Sequence, residues 1–248
     1  MRSNSGNLRP IWCDTVKTDA SGSRRAVVLL SGGLDSTVAL ALAGREGSTP
    51  AAALFFDYGQ HAARREADAA RRIADFYRLP LERIELPWLA RVSKSALVSG
   101  AGGPPRWSPD RLDDAAPRAV WVENRNGIFI NIAAFYAAEY GCGEIIAGFN
   151  REEAEAFPDN GEEFVARINR SLECSLERRV RVVSPTLRMT KREIVERSLA
   201  LDIPWELLWS CYRGEERPCG SCESCLRLKR AVAGTPAERR VCFEKEGT

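Results

Sequence analysis

The chain has 248 residues, of which 44% are hydrophobic and 28% charged, and its formal net charge is +2. This composition is typical of a soluble globular protein with one large domain and a small appendage. The near balance of charge provides no general attraction to nucleic acid or to an anionic membrane, and no apolar run approaches the roughly 20 residues of a membrane span. We therefore expect a cytoplasmic protein without a membrane or nucleic-acid partner.

Four regions are expected along the chain. Residues 1–24 are a polar N-terminal extension, and residues 25–205 form the main α/β domain. Residues 206–232 carry a cysteine-rich lobe, and residues 233–248 form a tail. Within the main domain, the stretch 99–118 is rich in glycine and proline, which predicts a long loop.

A strand followed by a glycine turn opens the main domain. Residues 26–30 are apolar and uncharged, which predicts a buried parallel strand. Ser31-Gly32-Gly33 interrupts this run, and an apolar helical pattern follows. Glycines let backbone amides approach a phosphate, and the helix N-terminus favours negative charge, so this turn predicts an anion site. The alternative is an ordinary turn whose helix is capped by Asp35 or Ser36. The predicted phosphate contacts are Leu30, Ser31, Gly32, Gly33, Leu34, Asp35, Ser36 and Thr37.

The order of residues in this turn narrows the kind of nucleotide site. It is neither the glycine loop ending in Gly-Lys-Ser/Thr nor the Gly-x-Gly-x-x-Gly of dinucleotide-binding proteins. Ser-Gly-Gly-Leu-Asp-Ser resembles the pyrophosphate loop (PP-loop) of the N-type ATP pyrophosphatases, which adenylate a carbonyl oxygen. That resemblance implies ATP and Mg²⁺ as cofactors, with Asp35 helping to position the magnesium.

Further strand and helix patterns predict a parallel sheet with helices on both faces. Residues 51–57 form the second predicted strand, a turn follows, and residues 62–78 have helical spacing. Ligands bind at the carboxyl ends of strands in such sheets, which places Phe56, Asp57 and Tyr58 beside the phosphate loop. For Phe56, simple core packing is an equally good interpretation. Later strands are predicted at 82–88, 143–148 and 180–185, and a helix at 161–178.

Several later residues have side chains or backbone suited to a ligand. Arg125, at the predicted start of the helix 128–140, can hold a phosphate or carboxylate, and Asn126 is predicted to cap that helix. Gly148 ends a strand where a ligand can approach. The Phe157-Pro158-Asp159 turn has the groups to stack on and hydrogen-bond a flat heterocycle; taken alone, it is equally an ordinary turn. Lys191 opens a helix against the dipole preference and can reach an ATP phosphate; a solvated lysine is the alternative.

Four cysteines are concentrated in fifteen residues. Seven residues separate Cys211 from Cys219, and two residues separate each of the following pairs up to Cys222 and Cys225. Four thiolates match tetrahedral zinc, and with all four positions filled by protein the metal is expected to be structural. An iron–sulfur cluster and incidental thiols are the alternatives.

Taken together, residues 25–232 resemble the 7-cyano-7-deazaguanine synthase (QueC) family of the PP-loop superfamily. The motifs that support this are Ser-Gly-Gly-Leu-Asp-Ser, Phe-Asp-Tyr-Gly-Gln, Arg-Asn before a helix, the Phe-Pro-Asp turn and the four cysteines. The resemblance implies an adenine-nucleotide-α-hydrolase-like fold and a zinc-containing homodimer. It also implies conversion of 7-carboxy-7-deazaguanine, ammonia and ATP to the nitrile through an amide, in the pathway to queuosine.

The resemblance also assigns roles to residues. It implies catalytic roles for Asp35, Ser36 and Lys191. Nucleotide contacts are expected from the phosphate loop and from Phe56, Asp57, Arg125 and Gly148. The expected substrate contacts are Tyr58, Gln60, Asn126, Glu153, Phe157, Pro158 and Asp159.

Three segments depart from the family pattern, and all three belong to the expected base pocket. Glu123-Asn124 replaces Pro-Gly, Glu155–Asn160 replaces Ser-Gly-Tyr-Pro-Asp-Cys, and Arg151-Glu152-Glu153 alters a glutamate–aspartate pattern. These departures leave alternatives: an enzyme that stops at the amide or transfers the activated deazaguanine to a protein, and a tRNA-modifying PP-loop enzyme. A non-catalytic zinc-stapled interaction module is a fourth possibility.

Overall fold

The computed structural model describes residues 24–98, 103–109 and 116–244. The predicted N-terminal extension therefore lies outside the described residues, except that Arg24 begins the first strand. Residues 99–102 and 110–115 of the predicted long loop also lie outside them, as do residues 245–248 of the tail.

Five parallel strands form one sheet, which confirms the predicted α/β class. They are β1 (Arg24–Leu29), β2 (Ser48–Asp57), β3 (Leu81–Glu85), β4 (Glu144–Ile146) and β5 (Arg181–Val183). Their order is β3-β2-β1-β4-β5, and each neighbouring pair is parallel. The chain runs outward from β1 in both directions, so the carboxyl ends of β1 and β4 flank a topological switch point, where ligands bind in open α/β sheets.

Helices cover both faces of the sheet. They are α1 (Leu34–Arg45), α2 (Ala63–Phe76), α3 (Pro87–Val92), α4 (Ala116–Val120), α5 (Arg125–Glu139), α6 (Arg151–Ala156), α7 (Glu162–Ser175), α8 (Lys191–Ala200) and α9 (Glu223–Val232). Short 3₁₀ turns lie at Pro158–Asn160, Trp205–Leu207 and Pro236–Arg240. None of the described helices combines the length and the apolar character that a membrane span requires.

Successive residues of the central strand point into two different cores, as strand geometry requires. Ala26 and Val28 pack with the buried side chains of α1 and α2. Val27 points to the other face and joins the core that includes α5 and α7. A third core lies between α1, α8 and α9, which ties the helix that follows the cysteines to the main domain.

Several predicted boundaries were wrong by a few residues. The strand predicted at 82–88 ends at Glu85, because Pro87 has no amide hydrogen for the ladder and instead begins α3. Helix α5 begins at Arg125 rather than Ile128, so the capping position belongs to Asn124, and Asn126 lies inside the first turn. Asn124 has φ of 56°, a left-handed conformation that asparagine tolerates better than most residues.

Candidate active site

The turn after β1 has the geometry of a phosphate cradle. Its side-chain hydroxyls hold the turn together: Gly33 N donates to Ser31 Oγ at 3.3 Å, and the Ser31 and Ser36 hydroxyls lie 3.1 Å apart. Thr37 Oγ1 donates to Gly33 O at 2.8 Å. Gly33 is the N-cap position of α1 but makes no side-chain cap, so neither Asp35 nor Ser36 caps the helix. The first-turn amides of α1 therefore remain available for an anion.

Two glycines allow neighbouring backbone to touch this turn. A Cβ on Gly148 would lie 2.6 Å from Ser36 N, so the end of β4 lies directly against the first turn of α1. Gly32 has φ of +83°, and a Cβ there would lie 2.8 Å from Glu66 O of α2. Because both positions are glycine, β4 and α2 lie closer to the cradle than any side chain at these positions would allow.

Lys191 and Asp35 form an ion pair at the edge of the cradle. Lys191 is the first residue of α8, which Thr190 and Glu193 start with a capping box. Burial alone would lower the pKa of Lys191, but Asp35 and Glu153 outweigh it and raise the pKa above its usual value. Glu153 lies 4.0 Å from the ammonium, and burial raises the pKa of its carboxyl. Asp35 uses Oδ2 for Lys191, whereas its buried Oδ1 has no hydrogen-bond partner among the described residues.

Aromatic rings form one wall opposite the cradle. The rings of Phe56 and Phe129 are stacked, with centroids 4.1 Å apart and planes 7° from parallel. Arg125 donates to the Tyr58 hydroxyl at 3.2 Å, and its guanidinium lies 5.7 Å from the centre of the Tyr58 ring. Burial would lower the pKa of Arg125, but Tyr58, Tyr212 and Asp159 outweigh burial and raise the pKa above its usual value. The Arg125 side chain therefore stays positively charged.

A carboxylate that the sequence analysis did not select lies beside this wall. Glu66, in the first turn of α2, accepts a hydrogen bond from Gln60 Nε2 at 2.9 Å. Burial raises the pKa of Glu66 to about 7, and the bond from Gln60 and the charge of Arg125 limit the rise. Nothing in the sequence distinguishes Glu66 from the other charged residues of α2. Its hydrogen bond with Gln60, in the turn before α2, is what marks it as a candidate site residue.

A cavity of about 210 Å³ joins the cradle to the aromatic wall. The predicted residues that line this cavity are Leu30, Ser31, Gly33, Leu34, Asp35, Ser36, Phe56, Tyr58, Gln60, Arg125, Asn126, Gly148, Glu153 and Lys191. The residues not predicted include Glu66, Phe129, Asn160, Trp209, Ser210, Tyr212 and Ser224. A larger cavity of about 600 Å³ opens on the other side of Trp209 and Ser210, but it contains none of Asp35, Ser36 or Lys191.

Three predicted nucleotide residues do not line the cavity. Asp57 pairs with Arg83 of β3 and accepts from Gly59 N at 3.1 Å, outside the cavity lining. Thr37 is fully buried behind the cradle and bonds Gly33 O. Gly32 likewise acts through its packing against α2 rather than as part of the lining.

The residues of the Phe157-Pro158-Asp159 turn are also not part of the cavity lining. Phe157 is buried in the core between the sheet and α5, and Pro158 is exposed. Asp159 accepts from Asn126 N at 3.2 Å and from Trp121 Nε1 at 3.3 Å, so it anchors the start of α5. Among the residues of this turn, Asn160 is the one that reaches the cavity.

The four cysteines lie together as the spacing predicts. The sulfur atoms of Cys211, Cys219, Cys222 and Cys225 are buried and all lie within 4.8 Å of one another. Backbone amides donate to two of them, Arg213 N to Cys211 Sγ at 3.4 Å and Cys222 N to Cys219 Sγ at 3.2 Å. A zinc–sulfur distance of about 2.3 Å spaces four tetrahedral thiolates about 3.8 Å apart, so the donor set fits a four-coordinate metal.

Trp209 connects the cysteine lobe directly to the cradle. Trp209 N donates to Gly32 O at 2.9 Å, and its indole Nε1 donates to Cys211 O at 2.8 Å. The segment 103–109 packs on the same lobe, since Trp107 N donates to Ser221 O at 2.7 Å and Arg213 donates to Pro104 O at 2.8 Å.

Comparison with known proteins identifies the family of this chain. The family model "Queuosine biosynthesis protein QueC" matches residues 25–235. A 7-cyano-7-deazaguanine synthase of Pelotomaculum thermopropionicum is 48% identical over 213 residues, covering 84% of this chain and 96% of the relative. The synthase of Methanosarcina barkeri is 40% identical over 215 residues, covering 84% and 93%.

A solved complex of a 4-thiouridine synthetase with RNA and bound ATP is more distant. It is 22% identical with a TM-score of 0.48, covering 87% of this chain and 51% of that one, which is too remote to support a function. The family match covers the phosphate cradle, the aromatic wall and all four cysteines. The chain therefore belongs to the QueC family of queuosine biosynthesis proteins.

Proposed function

We propose that this chain is an ATP-dependent 7-cyano-7-deazaguanine synthase, which converts 7-carboxy-7-deazaguanine and ammonia to the nitrile. The observation that carries the proposal is one cavity that combines a phosphate cradle, the Lys191–Asp35 pair and an aromatic wall with a fixed arginine. Family membership supports the substrate class.

The phosphate side of the cavity suits activation of a carboxylate. A carboxylate oxygen is a poor leaving group, so ATP must first convert it to an adenylate with release of pyrophosphate. The cradle amides and the Ser31 and Ser36 hydroxyls would offset negative charge on the departing pyrophosphate. Lys191 lies within reach of the same position through its pair with Asp35.

Asp35 has the donor that a magnesium ion needs. Its Oδ1 is buried without a hydrogen-bond partner among the described residues, and carboxylate oxygens are preferred Mg²⁺ ligands. When bound, Mg²⁺ would supply positive charge to the β- and γ-phosphates. Binding of a nucleotide would also give Lys191 a further anionic partner beside Asp35 and Glu153.

Arg125 suits the substrate's carboxylate better than a phosphate. Its guanidinium is held between Tyr58 and Phe129 at the start of α5, and Asp159 lies near it. A planar cation in this position can orient a carboxylate for attack on the α-phosphorus, and it can stay in place while ammonia attacks the adenylate. Repeating the activation on the amide oxygen then yields the nitrile.

We propose a structural zinc at the four cysteines and a cytoplasmic location. Four protein thiolates leave no coordination position for a catalytic water, and four free clustered cysteines are typical of metal ligands in a reducing compartment. The resemblance to the family also supports a homodimer, which sedimentation velocity of the purified chain would test.

The test is a mass-spectrometric assay with ATP, Mg²⁺, ammonia and 7-carboxy-7-deazaguanine labelled with ¹⁸O in the carboxyl group. Each activation should transfer one labelled oxygen to AMP, so two AMP and two pyrophosphate should form for each nitrile. Asp57→Asn, outside the cavity, is the matched control for Asp35→Asn. Amide alone, label in phosphate, or no small-molecule product would contradict the proposal and favour amide formation or transfer to a macromolecule.

A further inference from the structure

Glu66 lines the cavity together with Tyr58, Arg125 and the aromatic wall, and we call this part of the cavity the base side. Two contacts fix the position of Glu66. Helix α2 lies against the phosphate turn, where a Cβ on Gly32 would be 2.8 Å from Glu66 O and 2.9 Å from Ala70 N. The Glu66 carboxylate accepts from Gln60 Nε2 at 2.9 Å. Both the backbone and the carboxylate of Glu66 are therefore held relative to the cradle.

Gln60 has no donor left for a ligand. Its Nε2 donates to Phe56 O at 3.1 Å as well as to Glu66, and its Oε1 accepts from Tyr58 N at 2.9 Å. Both amide hydrogens are thus in use. Gln60, predicted above to contact the substrate, is better explained as the residue that positions Glu66.

Glu66 lacks a counter-ion of its own in the described part of the chain. Arg125 is near enough to influence its pKa but bonds the Tyr58 hydroxyl instead. Gln60 occupies one lone pair of Oε2, and a carboxylate has about four acceptor positions. A carboxylate held in a cavity with unused acceptors is suited to a ligand that brings N–H donors.

We propose that Glu66 recognises the 2-amino-pyrimidinone edge of the deazaguanine, where the ring N–H and the exocyclic amino group present two adjacent donors. This assignment rests on the proposed function. The stacked Phe56 and Phe129 rings provide a flat wall beside Glu66 for the heterocycle. At the corresponding edge, adenine has an amino donor next to a ring nitrogen that accepts. One carboxylate oxygen of Glu66 would therefore face the lone pair of that nitrogen, which is unfavourable. Glu66 therefore selects the base substrate over ATP.

The experiment measures binding by calorimetry without ATP turnover. The probes are 7-carboxy-7-deazaguanine, its analogue without the 2-amino group, and a non-hydrolysable ATP analogue. The wild type should bind the 2-amino compound about 10- to 100-fold more tightly than the deamino analogue. Glu66→Gln should lose most of this preference and keep its affinity for the ATP analogue.

Two further variants separate recognition from folding. Asp68→Asn, exposed on the same helix, should retain the full preference. Glu66→Asp keeps the charge on a shorter side chain and should retain part of it. Equal loss of affinity for both base compounds, loss of ATP-analogue binding, or an unchanged preference in Glu66→Gln would overturn the role of Glu66. Failure of the wild type to bind either base compound would instead overturn the proposed function.

Discussion

The phosphate side of the cavity takes its groups from the segment Ser31 to Ser36 and one cation, Lys191, from α8. The base side takes Tyr58 from the turn after β2, Glu66 from α2 and Arg125 from α5. The cradle uses backbone amides and small hydroxyls, whose positions follow from a strand, a turn and a helix. The base side uses long charged and aromatic side chains that support one another. One side therefore depends on local backbone geometry and the other on the packing of the whole domain.

Replacing one of the four clustered cysteines should have the largest effect. Cys222→Ser should release the metal and loosen the lobe that carries Ser210, Tyr212 and Ser224 into the cavity. Loss of a metal site lowers the free energy of unfolding by about 4–5 kcal/mol or more. For a chain of this size, that loss lowers Tm by about 10 °C. Calorimetry and metal analysis test this, with the exposed Cys174→Ser as control. A metal-free variant with the wild-type Tm would contradict a structural role.

Asp35→Asn should disable the phosphate side alone. The amide can still bond Lys191 but offers magnesium no charge, so we expect pyrophosphate release to fall about 10²- to 10³-fold. Binding of the deazapurine, measured without ATP, should stay within about twofold of the wild type. A matching loss of base affinity would show that the two sides are not separable.

Gly32→Ala should disturb both sides at once, because this glycine is where the cradle and α2 touch. The new Cβ would meet backbone atoms of Glu66 and Ala70 at a φ of +83°, so we expect a loss of about 1–3 kcal/mol in the free energy of unfolding. Urea denaturation measures it. Gly44→Ala is the control, since nothing lies within 4 Å of a Cβ there, and it should stabilise by about 0.5–1 kcal/mol. Similar effects from the two substitutions would contradict the close contact.

The smallest expected effect is a pH dependence of stability from Glu66. Its pKa rises from 4.5 to about 7 in the folded chain. Between those values the folded state holds a proton that the unfolded state has lost, so the free energy of unfolding should decrease as pH rises from about 4.5 to 7. Denaturation at pH 5 and pH 7.5 should show a smaller decrease in Glu66→Gln. The same decrease in both proteins would assign it to other groups.

The difference between the two sides of the cavity also determines which features the sequence could predict. The phosphate turn, the four cysteines and the parallel sheet each depend on short-range patterns, and all three appear in the structure. Lys191 reaches Asp35 across 156 positions, and its place at a helix start was a usable signal. Glu66 and Tyr212 carried no such signal, because their roles depend on which elements pack together.

The Phe157-Pro158-Asp159 turn shows a different use of suitable residue types. Its residue types suit a base pocket, but Phe157 is used in the core and Asp159 anchors α5. Asn124, one of the departures from the family pattern, has the left-handed conformation that asparagine and glycine adopt more readily than other residues. Residue type alone could not distinguish these structural uses from contact with a ligand.

Trp209 connects the metal lobe to the cradle, with one hydrogen bond to Gly32 O and another to Cys211 O. We expect a chain without metal at the four cysteines to lack the rigid lobe behind that connection. Such a chain should hold its phosphate turn less firmly and consume less ATP. Metal binding would then be a maturation step that precedes ATP use.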